Sequence, residues 1–228
     1  MTRYSISQPV TMIEAPRLLT GRGRFTDDVK LPFAAHAVFL RSPHAHARIN
    51  GIDASAAEAM DGVLLVITGR QWVAEGMGTL PTKTSVRKGR NDTDINEPPR
   101  HCMAIDTARY IGEPVAFVVA ETQEAANKAL EMIDVDYEPL DAVVDPVKAL
   151  APEAPQLWND IPNNLCIDFE LGDKEGTDKA FEEADHVITL DLINNRVTAV
   201  PIETRGCVGS YAAATETYTL YNSTQNVH

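Results

Sequence analysis

The chain has 228 residues, 44% hydrophobic and 23% charged, which is typical of a soluble globular protein of one or two domains and not of a disordered or fibrous one. The formal net charge of −13 repels phosphate backbones and anionic lipid headgroups, so neither nucleic acid nor a membrane is expected as a partner. Cys102, Cys166 and Cys207 are odd in number and far apart, which predicts reduced thiols in a cytoplasmic protein and no disulfide framework or zinc ribbon. The first ten residues lack a basic-then-apolar layout, and no apolar run approaches eighteen residues, so neither export nor a membrane span is predicted.

Residues 17–144 are predicted to form an α/β or α+β domain, because short strands alternate with short helices. Asp53 and Thr122 are candidate N-caps of two helices, and a polar stretch without periodicity predicts a long exposed loop. The elements expected in chain order are a strand at 34–41, a helix at 54–60, a fully buried strand at 63–67, the loop at 77–100, a second buried strand at 115–120, a helix at 123–133 and a strand at 133–137.

Residues 145–164 contain four prolines and predict an extended linker between domains. Beyond it, 165–228 predict a β-rich unit with strands at 166–171 and 186–193, a short helix at 179–184, and a hairpin of strands at 208–212 and 217–221. So small a unit buries little apolar surface, and its last strand pattern lies close to the end of the chain. We therefore expect this unit to be incomplete and the chain to be the front part of a longer protein.

Two motifs resemble parts of a dinucleotide-binding site and of a metal site, but a structural role is favoured for both. Gly21-Arg22-Gly23 is a GxG sequence without a preceding strand or a third glycine, which argues against a dinucleotide fingerprint. His44 and His46 could share one side of an extended segment, as two metal ligands would. That segment offers no third ligand, so hydrogen-bonded structural histidines are favoured over a metal site.

Glu113 and Glu203 are candidate acid groups, because a carboxylate in a dry pocket can be tuned toward general-base work. Glu203 lies close to Arg205 in sequence, so a structural ion pair is an equally good interpretation. The residues taken singly name no reaction.

Several strings taken together resemble one known family. Residues 17–25 (RLLTGRGRF), 41–49 (RSPHAHARI) and 110–116 (YIGEPVA) resemble the N-terminal hammerhead α/β domain in the large subunit of molybdenum hydroxylases, the xanthine dehydrogenase and aldehyde oxidase family. Residues 201–206 (PIETRG) and 220–226 (LYNSTQN) look like the opening of that family's molybdopterin-binding domain. The resemblance covers nearly the whole chain.

The resemblance implies an enzyme that hydroxylates an electron-poor carbon with oxygen from water, at a molybdenum held by a pterin dithiolene. Electrons would leave through 2Fe-2S clusters to FAD or another acceptor, in partner subunits or domains. By family position, Gln225 matches the glutamine that hydrogen-bonds a molybdenum oxo ligand, and a neutral amide can donate there without adding charge. The alternative is that Gln225 is a polar strand-end residue.

The chain also departs from the family. The glycine-rich pterin-binding loop and the glutamate that acts as base both lie downstream of Gln225 in the family, so no catalytic residue is expected in this chain and no metal or cofactor is expected on it in isolation. A fragment, a naturally split large subunit and a stand-alone non-catalytic hammerhead module all remain possible. The substrate is left open among purines, aldehydes, N-heteroaromatic compounds and carbon monoxide.

Overall fold

The computed structural model describes residues 11–81 and 88–224, which form parts of two compact units. We call Ala35–Thr189 the sheet unit. The second unit, which we call the hairpin unit, combines the described parts of Met1–Ala34 and Leu190–His228. In sequence, the sheet unit is therefore inserted between the two parts of the hairpin unit.

In its described residues, the sheet unit contains six short strands and four α-helices. Its strands are β1 (His36–Arg41), β2 (Ala47–Asp53), β3 (Val63–Thr68), β4 (Thr107–Ala108), β5 (Pro114–Ala120) and β6 (Asp134–Pro139). Its helices are α2 (Ser55–Glu58), α3 (Gly69–Ala74), α4 (Gln123–Glu131) and α5 (Lys174–Glu183), numbered after α1 (Ala15–Leu19) of the hairpin unit. In the described residues, no helix is both long and apolar enough to cross a membrane.

Two antiparallel three-stranded sheets organise the sheet unit, in the orders β1-β5-β3 and β4-β2-β6. In the first sheet, Phe117 of β5 faces Phe39 of β1 and Ile67 of β3. The core has two clusters, one under the first sheet around Val118 and Ala129 and one around Ile49 and Val115, and Leu40 packs against both. The two sheets therefore share one continuous apolar interior.

The local signals around β5 and α4 are confirmed. Val115 and Val118 are fully buried, and the Thr122 hydroxyl accepts a hydrogen bond from the Ala125 N–H at 3.1 Å, as an N-cap should. Asp53 accepts hydrogen bonds from Ser55 instead of capping a longer helix, and α2 has only four residues.

The prediction that the strand at 63–67 is fully buried is wrong. Leu64 and Leu65 are 57% and 48% exposed, whereas Val66 is buried. Strand β3 lies at the edge of its sheet, and its register with β5 shifts between Val63 and Leu65, which leaves Leu64 without a partner. Helices α2 and α4 contribute to the core cluster that contains Val66, whereas Leu64 and Leu65 stay at the surface.

The proline-rich segment 145–164 contains two short 3₁₀ turns, Lys148–Leu150 and Pro162–Asn164. Helix α5 begins earlier than the predicted 179–184, because the Asp173 carboxylate caps it by accepting from the Gly176 N–H at 2.8 Å. Neither 166–171 nor 186–193 is a regular strand, although both alternate in sequence. Alternation shows which side chains could share a face, but a strand also needs a partner with which to form a ladder.

The described part of the hairpin unit contains α1 and one antiparallel pair, β7 (Cys207–Ala212) and β8 (Thr217–Asn222), joined by a turn at 213–216 as predicted. The rings of Tyr211 and Tyr218 stack across the pair with centroids 4.5 Å apart. Among the described residues of this unit, only Thr26 is buried. The hairpin is well formed but contributes almost no core.

Candidate functional site

The segment that the sequence singles out for cofactor contact follows β8. Strand β8 ends at Asn222, opposite Cys207 at the open end of the hairpin. Gln225 comes three residues later and lies outside the described residues. The structure therefore defines the strand that leads to Gln225 and leaves the role of Gln225 as a prediction.

The Glu203 side chain links the two sequence segments of the hairpin unit. Its Oε1 accepts hydrogen bonds from the backbone N–H of Thr26 at 2.8 Å and from the Thr26 hydroxyl at 3.1 Å. Thr26 opens a 3₁₀ turn, so the carboxylate satisfies one of the free N–H groups at its start. Within 11–81 and 88–224, Glu203 forms no ion pair with Arg205. The contacts of Glu203 are those of a structural cap.

Glu113 occupies a similar structural position in the sheet unit. Its Oε2 accepts from the backbone N–H of Arg109 at 2.5 Å, across the turn that precedes β5. Burial raises the pKa of Glu113, while the N–H groups of Arg109 and Tyr110 and the charge on the Arg109 guanidinium lower it by less. The carboxylate is thus partly desolvated but already engaged with its own turn.

The two histidines of the extended segment have separate surroundings. His46 is buried, and its Nδ1 lies 2.8 Å from the Asp141 carbonyl oxygen. The His44 ring packs against the Tyr137 ring with centroids 4.9 Å apart. The contact of His46 is the hydrogen bond expected of a structural histidine. In the described ranges, no three or more His, Cys, Asp or Glu side chains converge as metal ligands would.

Gly21 and Gly23 follow directly after α1 and not after a strand, in agreement with the interpretation that they are no dinucleotide fingerprint. Gly21 has a φ of 69°, a left-handed conformation that favours glycine just past the end of a helix. The cysteines Cys102, Cys166 and Cys207 are free thiols.

A pterin cofactor needs a cradle of converging buried hydrogen-bond donors and acceptors that have no other partner within the protein. Such atoms in the described residues, for example Trp72 Nε1 and His101 Nδ1, belong to the sheet unit. The described part of 190–224 has no buried residue that could contribute one. These residues alone do not fit a pterin, and no chemical step is assigned to them.

Sequence reasoning missed one group of residues that the structure brings together. Arg109 donates from Nε to the Leu157 carbonyl oxygen at 2.8 Å, and its Cζ lies 3.6 Å from the centroid of the Trp158 ring. The hydrogen bond spans 48 residues, so no local sequence signal could have indicated it. A capping signal for α3 was present, because Thr68 and Gln71 have the spacing of a capping box.

Two family models match the chain in order. The model for the aldehyde oxidase and xanthine dehydrogenase a/b hammerhead domain matches residues 20–141, and the model for the molybdopterin cofactor-binding domain matches residues 157–228. These matches confirm the predicted fold class, a hammerhead domain followed by the beginning of a molybdopterin-binding domain.

Known proteins resemble the whole chain. The nicotine 6-hydroxylase large subunit of Paenarthrobacter nicotinovorans is 36% identical over 100% of this chain and 27% of its own length. Quinoline 2-oxidoreductase from Pseudomonas putida 86 matches with a TM-score of 0.76 and 33% identity, over 98% of this chain and 27% of that one. A CO dehydrogenase from Oligotropha carboxidovorans matches with a TM-score of 0.77 and 35% identity, over 93% of this chain and 26% of that one. The chain thus spans about a quarter of the length of these relatives.

Proposed function

The chain belongs to the aldehyde oxidase and xanthine dehydrogenase family, and on that premise we propose that it is the first part of the large, molybdopterin-binding subunit of a molybdenum hydroxylase. The observation that carries the proposal is the match to two consecutive domain models, together with a solved structure of such a protein that matches over 98% of this chain. We divide the chain into a hammerhead domain at 17–144, a connecting segment at 145–164 and the start of the cofactor-binding domain from 165, a division that lies close to the matched ranges.

We propose that the complete protein hydroxylates an electron-poor carbon, with water as the source of oxygen. Bound molybdenum–molybdopterin would supply the redox chemistry, and 2Fe-2S and FAD groups in partner subunits or domains would take up the electrons. A relative named as subunit gamma of a dehydrogenase complex supports the expectation of partner subunits.

The substrate is proposed only as a class. This segment is about equally similar to proteins named for nicotine, quinoline and carbon monoxide. A segment shared to the same degree by enzymes with such different substrates does not select among them. The residues that choose the substrate are therefore expected in the remainder of the subunit.

Within this chain we assign one residue to the cofactor. Gln225 follows β8 and would contact the molybdenum–molybdopterin through its neutral amide. The glutamate that serves as base is expected in the remainder of the subunit. We also propose a cytoplasmic location, which the three free cysteines support.

The rival proposal, a stand-alone hammerhead module without catalysis, is not favoured. The cofactor-binding family model continues through residue 228, beyond the hammerhead match. A binding module that consisted of the hammerhead domain alone would have no molybdopterin cofactor-binding sequence after it.

The proposal is tested on the complete large subunit purified with its partner subunits. We expect stoichiometric molybdenum by elemental analysis, and incorporation of ¹⁸O from labelled water into a hydroxylated N-heteroaromatic compound, purine or aldehyde, or into the CO₂ formed from carbon monoxide. The isolated chain should hold no molybdenum and hydroxylate nothing. Molybdenum bound to the isolated chain, or none in the complete subunit, contradicts the proposal.

In the same complex, Gln225→Ala should retain molybdenum and lose rate by about ten- to a hundredfold, the scale for residues that support a metal from outside its ligand set. Gln123→Ala, which removes a glutamine from the surface of α4, is the matched control and should leave the rate unchanged. Equal rates in the two variants would show that Gln225 is only structural.

A further inference from the structure

Residues 157–170 occupy an unexpected position. The molybdopterin cofactor-binding family model begins at residue 157, yet residues up to Thr189 lie in the sheet unit with the hammerhead strands. The first stretch of one sequence domain therefore packs within the structural unit of the other. Two separate groups of contacts fix it there.

The first group surrounds Arg109. Its Nε donates to the Leu157 carbonyl oxygen at 2.8 Å, and its Cζ lies over the Trp158 ring, 3.6 Å from the ring centroid. Nη1 donates to the Thr107 carbonyl oxygen at 3.1 Å, which fixes the guanidinium on the sheet unit. A guanidinium over an indole ring, held by hydrogen bonds from Nε and Nη1, makes a favourable and directional contact.

The segment that meets Arg109 is itself closed by Asn164. The Asn164 Oδ1 accepts from the Leu157 N–H at 2.9 Å, and its Nδ2 donates to the carbonyl oxygens of Ala149 and Pro155 at 2.9 and 3.0 Å. Leu157 thus has both backbone groups bonded, one by Asn164 and the other by Arg109. Ile161, which lies between Leu157 and Asn164 in sequence, is 3% exposed. This stretch is a folded loop that docks as one piece.

The second group involves the loop before β4. The backbone N–H of Asn96 donates to the Cys166 carbonyl oxygen at 2.9 Å, and the N–H of Arg90 donates to that of Asp168 at 2.7 Å. The acceptors are two residues apart, so an extended segment points both carbonyl groups to the same side, and the loop meets them with donors six residues apart and without a regular ladder. The Asn96 side chain adds a bond to the Leu165 carbonyl oxygen at 2.9 Å.

Charge adds selectivity to the second group. The Arg90 guanidinium lies 2.6 Å from Glu170 and 3.3 Å from Asp168, measured between N and O atoms. Asp168 and Glu170 are alternate residues, so an extended segment presents both carboxylates to one arginine. Because these groups are exposed, salt should weaken this pair.

We propose that Arg90, Asn96 and Arg109 form a docking track on the hammerhead domain that binds residues 157–170, the first stretch of the cofactor-binding domain, and so sets where that domain begins. The track recognises an extended segment through its backbone carbonyl groups, one tryptophan ring and two alternate carboxylates. This inference does not depend on the proposed function, since it concerns how two parts of the chain are joined.

Amide hydrogen exchange on the full chain tests the track. Arg109→Ala should speed exchange at Leu157 and Ile161 by about ten- to a hundredfold, the scale for losing a hydrogen bond from a charged donor. Exchange in β5 should not change. Arg48→Ala is the matched control, because Arg48 makes an exposed ion pair with Glu138 in the same unit. Exchange at Leu157 equal to that of the control overturns the proposal, as does equal acceleration throughout β5.

Two further variants keep the test decisive. Trp158→Leu removes only the ring under the guanidinium and keeps the bond from Arg109 to the Leu157 carbonyl oxygen, so it should speed exchange at the same amides by about two- to tenfold, the scale of a cation–π contact. This variant decides the outcome if Arg109→Ala does not fold. Arg90→Glu should speed exchange at Asn96 by about two- to fivefold, the scale of an exposed ion pair. Adding Glu170→Arg should restore protection, and failure to restore it counts against recognition by charge.

Discussion

The two units make strands from similar sequence patterns but bury them very differently. In the sheet unit, β5 lies between β1 and β3, and four of its residues, Val115, Ala116, Val118 and Ala120, have no exposed surface. In the described part of the hairpin unit, β7 pairs with β8 alone, and Tyr218 and Leu220 are 80% and 65% exposed. A strand pattern therefore predicts a strand but not the layer that covers it. In this chain the covering layer decides which unit has a core.

The largest expected effect tests that difference in local stability. Opening β5 requires disrupting the core, which costs on the order of 5 kcal/mol or more, whereas a two-stranded hairpin is marginal and opens for close to nothing. Amides of β5 should exchange about 10³-fold more slowly than those of β7 and β8, after correction for intrinsic rates. Hydrogen exchange followed by mass spectrometry measures both regions in one sample.

The control for this comparison is the complete large subunit. If later parts of the subunit cover the hairpin, protection of β7 and β8 should rise there while β5 changes little. Slow exchange through β7 and β8 in a monomeric isolated chain would contradict the contrast between the two units.

The sequence predicted well what depends on neighbours in the chain. Thr122 lies three residues before the N–H that it caps, and β5 is a continuous apolar run, so both were recognised. It failed where the outcome depends on distant partners. The segment at 186–193 alternates but forms no strand, and Leu64 and Leu65 look buried but stay exposed at a register shift in an edge strand. Burial is a property of the assembled layers and cannot be read from one segment.

The candidate site shows the same limit. Glu203 and Glu113 were selected as acids, and the structure gives both the role of a turn cap, through Thr26 and Arg109. Their partners lie 177 and 4 residues away. The nearby partner could have been anticipated from the turn, whereas the distant one required the fold. Gln225 was selected by family resemblance and remains a prediction.

A second prediction sharpens the comparison through two glycines. A Cβ on Gly69, at the start of α3, would lie 2.1 Å from the Ala104 carbonyl oxygen, so Gly69→Ala must displace backbone. We expect it to lower the free energy of unfolding of the sheet unit by about 1–3 kcal/mol, the scale of overpacking. In the hairpin unit, a Cβ on Gly209 meets nothing within 4 Å, so Gly209→Ala should change stability by less than about 0.5 kcal/mol.

Urea unfolding followed by tryptophan fluorescence measures the first variant, because Trp72 and Trp158 both lie in the sheet unit. Gly51→Ala in β2 is the matched control within that unit, since its Cβ also meets nothing within 4 Å. Far-UV circular dichroism adds the hairpin unit to the comparison. Equal unfolding midpoints for Gly69→Ala and Gly51→Ala would show that the close approach to Ala104 is not rigid.

The smallest expected effect concerns pH and the desolvated carboxylate of the sheet unit. Burial raises the pKa of Glu113 above its ordinary value, so the folded protein binds this proton more tightly than the unfolded chain does. The favourable contribution to stability is present at low pH and is lost as pH rises from the ordinary glutamate pKa, about 4.3, through the raised value in the folded protein.

Glu113→Gln removes this titration but keeps an oxygen that can accept the Arg109 N–H. The variant should therefore gain stability relative to the wild type as pH rises from 4 to 7, by a small amount because the site is only partly buried. Glu97→Gln removes the same charge at an exposed position and serves as the control. Urea unfolding at several pH values measures the difference, and a gap that stays constant or moves in the opposite direction would show that burial is not the dominant influence on Glu113.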